Sequence, residues 1–131
     1  MLFRSPWNRF ARAGRQLLLS ARPGIAALPL AEILSLTPAR FAEVFKGTAI
    51  KRLKLTGLLR NACVVAGNAG DAGLLPALVT LATQAPAVVR AHAVWAVRRI
   101  AGGAADGLLK TARQNETDVV VLEEYSCSSA P

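Results

Sequence analysis

The feature that most constrains the fold of this chain is an internal repeat with a period of about thirty residues. Leu59 and Arg60 are echoed by Val89 and Arg90, and a weaker copy of the unit follows near Val120. Within each unit, apolar residues recur at the three- and four-residue spacing of an amphipathic helix. This pattern predicts stacked helical pairs, because no single pair can bury its apolar face alone.

The composition agrees with such a helical fold. Aromatic residues make up only 5% of the 131 residues, whereas Ala, Leu and Val dominate, which favours close helix packing over a β-sandwich. We predict an all-α fold of HEAT-like helical repeats (an α-α superhelix), with roughly three helix pairs and an N-terminal helical extension. Residues 1–27 are expected to form a basic helix and a linker, 28–118 the repeat domain, and 119–131 an uncertain tail, either helical or extended.

Caps and breakers locate the individual helices. Thr37 before Pro38 and Asp71 after Gly70 are typical N-cap signals, and Gly102 is a stop signal. The predicted helices cover residues 6–19, 29–36, 38–46, 48–67, 71–83, 87–101 and 104–113. In the helix over 87–101, one stripe is expected to face the core: Val89, Ala93, Ala96, Val97 and Ile100.

The net charge of +8 is distributed unevenly along the chain. Through Arg60 there are eleven Lys/Arg and two Asp/Glu residues, giving +9, whereas the remainder has five and six, giving −1. A basic half suggests a polyanionic partner such as nucleic acid, and an anionic membrane surface fits almost as well. The first thirty-one residues hold five Arg and no acid, a composition that also resembles a mitochondrial transit peptide.

Several kinds of chemistry find no support in the sequence. Cys63, Cys127 and His92 do not have the spacing of metal ligands, and no paired carboxylates or nucleophile motif can be placed. Cys63 lies in an apolar run, where a buried, reduced thiol is more plausible than a reactive one and favours a reducing compartment. The longest apolar stretch is too interrupted to span a bilayer, so we expect a soluble, cytoplasmic protein.

Three groups of cations could bind an anion, and each has a structural alternative. Lys51, Arg52 and Lys54 indicate an anion site or else a solvated face. Arg60 and Arg90 could contact phosphates, or could bind helix C-terminal carbonyls or an acid such as Asp71 and so join successive repeats.

A further face of the helix over 87–101 has the same ambiguity. His92, Trp95 and Arg99 share it, and an Arg beside an aromatic ring at this spacing could stack a base or bind a phosphate. In the structural alternative, the aromatic and His side chains pack against the adjacent helix pair.

Two stretches resemble the C-terminal part of epoxyqueuosine reductase, the iron-sulfur and cobalamin enzyme of queuosine synthesis in transfer RNA. The first, Ser5-Pro6-Trp7-Asn8, is similar to the Cys-Pro-Trp-Asn run that closes the family's second cluster-binding segment. The second extends from about residue 30 to 114 and includes the motifs Phe-Lys-Gly-Thr-Ala-Ile-Lys-Arg over 45–52, Gly-Leu-Leu-Arg-Asn over 57–61 and Arg-Ala-His-Ala-Val-Trp-Ala over 90–96. The resemblance implies that residues 1–27 are a remnant that follows the cluster-binding region.

The departures from the family pattern affect the expected chemistry. Ser5 stands where the family has a cluster-ligating Cys, and a neutral hydroxyl cannot replace a thiolate. We therefore expect no 4Fe-4S cluster, no cobalamin and no catalytic residue in this chain, although the family is an oxidoreductase.

The resemblance also implies that the basic half helps to hold transfer RNA and that a separate catalytic part is a second partner. We expect the chain to be a monomer. The predicted RNA contacts are Lys51, Arg52, Lys54, Arg60, Asn61 and Arg90. The alternatives are a stand-alone HEAT-like scaffold that binds a protein, and a truncated reading frame with no independent role.

Overall fold

The computed structural model describes residues 28–127, and all regular elements within that range are helices. The prediction of an all-α fold is therefore confirmed. The basic helix predicted over residues 6–19 lies outside the described residues. No helix between residues 28 and 127 is both long enough and apolar enough to cross a membrane.

Two short helices open the described part of the chain. Helix α1 (Leu30–Leu34) starts directly after Pro29, which is its N-cap, and ends before the predicted limit at residue 36. Helix α2 (Pro38–Val44) starts as predicted, because Thr37 Oγ1 accepts a hydrogen bond from the Arg40 N–H at 3.3 Å. The rings of Phe41 and Phe45 lie 5.2 Å apart in a small core at this end.

Helix α3 (Ile50–Ala69) is the longest helix of the described chain and contains a break that the sequence does not reveal. Gly57, the expected weak point, is helical, whereas Lys54 has φ 63° and ψ 160°. Such a backbone conformation is strained for any residue other than glycine and costs on the order of 1–3 kcal/mol. The end of α3 agrees with prediction, because Gly70 adopts the left-handed conformation with φ 69°.

The next two helices are close to their predicted limits. Asp71 caps a short 3₁₀ turn (Ala72–Leu74) by accepting the Gly73 N–H at 2.8 Å, and α4 (Leu75–Gln84) follows directly. Helix α5 (Ala87–Ala101) begins and ends where the sequence predicts, since Gly102 stops it with φ 55°.

The single helix predicted over 104–113 is instead interrupted. A 3₁₀ turn (Gly102–Ala104), α6 (Ala105–Leu108) and α7 (Lys110–Gln114) share this segment, and the buried Leu109 lies at the junction. The undecided segment after it is helix α8 (Val119–Ser126). Asp118 Oδ1 caps α8 by accepting the N–H groups of Val120 and Val121, at 2.9 and 3.4 Å.

Helix α5 is at the centre of the main core. It packs against α3, α4 and α8. On another side of the core, α4 contacts both α1 and α7. The predicted stripe is confirmed, because four of its members have no exposed surface and the fifth is partly buried: Val89, Ala93, Ala96 and Val97, followed by Ile100. Val121 and Tyr125 of α8 complete this core on one side.

The buried stripe of α5 gives a direct test of the fold. We expect Val89→Asp to prevent folding, because Val89 is fully buried and a carboxylate there has no partner. Such a variant would show no cooperative unfolding transition. The matched control is Val88→Asp, since Val88 is 41% exposed and should tolerate the charge within about 0.5 kcal/mol. Thermal unfolding followed by circular dichroism measures both, and equal melting temperatures for the two variants would contradict the assigned interior.

Candidate nucleic-acid interface

Three predicted RNA contacts lie together at the beginning of α3. Lys51, Arg52 and Lys54 are exposed, and none of their side chains forms an ion pair or hydrogen bond with another group in residues 28–127. The break at Lys54 interrupts the helix within this group. Three cations without an acidic neighbour in the described chain repel one another, so a bound polyanion would lower the energy of this surface.

The next two predicted contacts lie farther along the same helix. Arg60 Nε and Nη2 both donate to Asn61 Oδ1 at 3.3 Å, and within residues 28–127 the guanidinium has no other hydrogen-bond partner. Asn61 is exposed and Arg60 is half-buried. Long hydrogen bonds to a neutral acceptor are easily exchanged, so the Arg60 guanidinium can turn toward a phosphate at little cost.

Arg90, the repeat counterpart of Arg60, has a different environment. Its Nε and Nη2 donate to Glu116 Oε2 and Oε1 at 2.8 and 2.9 Å, and its Nη1 donates to the Ala85 carbonyl at 2.8 Å. The Glu116 side chain is only 3% exposed and the Arg90 side chain is 22% exposed. This arrangement is a bidentate, largely buried ion pair that connects the start of α5 to the segment before α8.

Glu116 also organises the main chain around it. Its Oε1 accepts the N–H groups of Thr117 and Asp118 at 3.0 and 2.9 Å, just before α8 begins. The hydrogen bond from Arg90 is the main cause that holds the pKa of the Glu116 carboxyl below its usual range, and it also raises the pKa of Arg90. The carboxylate is therefore held charged in a site from which water is mostly excluded.

These contacts explain why the two arginines of the echo differ. The carbonyl contact predicted for such arginines is found at Arg90, whereas Asp71 instead caps its own turn. Glu116 follows Arg90 by twenty-six residues, and the residue at the same distance from Arg60 is Pro86, which cannot form an ion pair. Glu116 therefore neutralises the charge of Arg90, whereas no acidic side chain within residues 28–127 pairs with Arg60.

Two structural contacts were not predicted from the sequence: the pairing of Arg90 with Glu116, and the role of Arg98. Arg98 Nη1 donates to the carbonyls of Glu124 and Tyr125 at 2.6 and 3.3 Å, so it binds the C-terminal end of α8. The distance from Arg98 to Glu124 is again twenty-six residues. Arg90 thus links α5 to the segment before α8, and Arg98 links α5 to the end of α8 through main-chain carbonyls, which no residue type in the sequence indicates.

Two further predictions concern reactive groups. Cys63 is fully buried and unpaired, and burial raises the pKa of its thiol to about 12, so it is the inert apolar residue that the sequence indicated. Residues 28–127 contain no group of three His, Cys, Asp or Glu side chains that could hold a metal ion. Ser5, at the position of the family's cluster Cys, lies outside the described residues.

Breaking the buried ion pair should destabilise the fold. We expect Glu116→Ala to lower the free energy of unfolding by about 3 kcal/mol, because Arg90 and two backbone N–H groups lose their acceptor. Glu123→Ala is the matched control, since Glu123 is exposed and should change stability by less than about 0.5 kcal/mol. Urea unfolding measures both, and similar losses for the two variants would show that the pair does not stabilise the fold.

The same pair predicts a pH dependence. Because the pKa of Glu116 is lower in the folded state, its contribution is complete above roughly pH 4.3, the ordinary carboxyl value, and is lost as the pH falls through the lowered folded value. The difference in unfolding free energy between the unmodified chain and Glu116→Ala should therefore shrink from pH 7 to pH 3. A difference that stays constant over this range would contradict the assigned ionisation.

Comparisons with known proteins agree with the family resemblance that the motifs indicate. No protein-family model and no solved structure matches the chain. Curated epoxyqueuosine reductases do match: that of Alicycliphilus denitrificans is 36% identical over 100 residues, and those of Burkholderia pseudomallei and Escherichia coli are 34% and 32% identical over 106 and 93 residues.

These matches cover 70% to 71% of this chain but only 24% to 28% of each relative, so the chain spans about a quarter of the length of the proteins it matches. The resemblance seen in the motifs is thereby confirmed. By its sequence, the chain matches the C-terminal portion of the epoxyqueuosine reductase family.

Proposed function

We propose that this chain is a non-catalytic, HEAT-like portion of an epoxyqueuosine reductase and that it helps to hold transfer RNA. The observation that carries the proposal is the group formed by Lys51, Arg52 and Lys54, which is exposed and unpaired within the described part of the chain. The relatives are named for epoxyqueuosine, a modified nucleoside. An RNA substrate accounts for both the relatives' name and the uncompensated positive charge.

The repeat arrangement supports the HEAT-like part of this proposal. Helices α3, α5 and α8 carry the repeated units and pack in succession, and α4 and α7 lie in the segments between them. Successive units of a repeat protein contact mainly their neighbours, which is the pattern expected if each unit is one helical pair. The regular offset from Arg90 to Glu116 and from Arg98 to Glu124 fits the same geometry.

The RNA contacts are proposed to be electrostatic and to follow the backbone. Lys51, Arg52 and Lys54 would bind phosphates at the beginning of α3, and Arg60 with Asn61 would extend the contact along the helix. Arg90 uses part of its guanidinium for Glu116 and Ala85, so only its remaining N–H groups could reach RNA. Reduction of the epoxide would need a catalytic part supplied by a longer chain or by a separate protein.

Salt dependence tests the proposal directly. We expect binding of a transfer RNA transcript to weaken steeply between low and physiological salt, and Lys51→Glu with Arg52→Glu to reduce the slope of log affinity against log salt by about one per lost phosphate contact. Lys110→Glu, on the exposed surface of α7, makes the same charge change as either single substitution and is the matched control for each of them. Fluorescence anisotropy at several salt concentrations measures all of these slopes.

The alternative is a HEAT-like scaffold that binds a protein, and the same measurement distinguishes it. In that case RNA affinity would be negligible or would respond equally to the α3 and α7 substitutions, because only the overall charge would matter.

We further propose a cytoplasmic monomer. A sedimentation experiment that gives a dimer would contradict the monomer.

A further inference from the structure

An open groove lies on the surface formed by α3, α5 and α8. It has a volume of about 380 Å³ and is lined by one residue of α3, three of α5 and two of α8: Val64, Ala91, His92, Trp95, Val120 and Glu124. The volume is sufficient for one nucleobase together with part of its sugar. None of these residues belongs to the basic surface described above.

The two outer walls of the groove are apolar and exposed. Val64 on α3 is 37% exposed and Val120 on α8 is 63% exposed. They lie on the two helices that pack against α5, so the groove that Trp95 lines has an apolar residue on each of these neighbouring helices. Two apolar walls beside an aromatic ring suit a flat ligand with two apolar faces.

The position of Trp95 is fixed by a close approach of α3. A Cβ atom at Gly67 would lie 2.5 Å from Trp95 Cζ3, so only glycine leaves space for the ring at this point. The Arg99 guanidinium carbon lies 5.6 Å from the centre of the ring. Arg99 lies over one face of the indole and outside the residues that line the groove, so a base would stack on the opposite face and the guanidinium would meet its phosphate from outside the groove.

The polar groups of the groove select for hydrogen-bond donors. The Val88 carbonyl lies 2.7 Å from His92 Nδ1 and can only accept, so in the neutral ring Nδ1 carries the proton and Nε2 is an acceptor. The Glu124 carboxylate forms no ion pair within residues 28–127, because Arg98 binds the main-chain carbonyl of Glu124 instead. A ligand that fits must bring N–H groups to these acceptors.

Guanine meets these requirements better than the other bases. Its N1–H and N2–H groups are adjacent donors that match the two oxygens of a carboxylate, whereas adenine and cytosine present a single amino group beside an acceptor. A cationic peptide side chain would also suit Glu124, but the positive charge of Arg99 beside the Trp95 ring opposes it. A nucleotide uses Arg99 favourably, through its phosphate.

We propose that this groove binds a guanine base, with Trp95 stacking the ring, Glu124 accepting its N1–H and N2–H groups and Arg99 meeting its phosphate. The base can come from a free nucleotide or from single-stranded RNA. For RNA, the inference rests on the RNA binding proposed above, and Arg60, four residues before Val64 on α3, connects the groove with the basic surface.

Two short RNAs and one pair of substitutions test the groove. The RNAs are the single-stranded pentamers UUGUU and UUAUU, and free GMP is added as a competitor. The unmodified chain should bind UUGUU at least about fivefold more tightly than UUAUU, as expected for a bidentate base contact. Glu124→Gln should reduce this preference to nearly one, because the substitution replaces one of the two acceptor oxygens with a donor NH₂ group.

Glu123→Gln is the matched control, because it removes the same charge from the next residue of α8, which borders a different part of the surface with Val119 and Cys127. It should leave the guanine preference unchanged. Competition by GMP would show that the groove takes the free nucleotide, and a preference that resists GMP would assign it to guanine in RNA. Circular dichroism checks that both variants remain folded.

Other outcomes would overturn the inference. Salt-dependent binding of both pentamers without a guanine preference would leave the proposed RNA function standing and reject the groove. Binding of GMP that depends on Glu124, without any RNA affinity, would do the reverse. A dimer that Val120→Glu dissociates would assign the groove to a second copy of the chain and would also reject guanine.

Discussion

The burial of helix α5 is the constraint on which the rest of the described structure depends. Val89, Ala93, Val94, Ala96 and Val97 have no exposed surface, and α3, α4 and α8 all pack against this one helix. Small apolar side chains allow close approach on several sides at once, which a strand-rich or aromatic core would not permit. The stability of the surrounding helices therefore depends on α5, because its neighbours bury their own apolar faces mainly against it.

The cations of α5 and those of α3 have different roles. Arg90 and Arg98 bind Glu116 and the end of α8, so the arginines of α5 hold the stack together. Arg60 and the cations at the start of α3 have no acidic partner within residues 28–127. The repeated arginine thus joins two helical units at Arg90, whereas at Arg60 it leaves a positive charge without an acidic partner.

Local signals in the sequence predict much of this arrangement. Thr37 with Pro38, Gly70 and the two ends of α5 follow from caps and breakers that act within one helical turn. The break at Lys54 could not be predicted, because Lys is an ordinary helix former and no glycine or proline marks this position. The pairing of Arg90 with Glu116 joins residues from different helices, and charge alone indicated Asp71 equally well.

The division between a structural and an exposed arginine can be tested with two variants, Arg60→Gln and Arg90→Gln. For each variant, the free energy of unfolding and the affinity for a transfer RNA transcript are measured in the same buffer. We expect Arg90→Gln to lose about 2 kcal/mol of stability, and Arg60→Gln to change stability by less than about 0.5 kcal/mol while its RNA affinity and salt slope fall. Equal losses of stability, or an RNA affinity that Arg60→Gln leaves unchanged, would contradict this division.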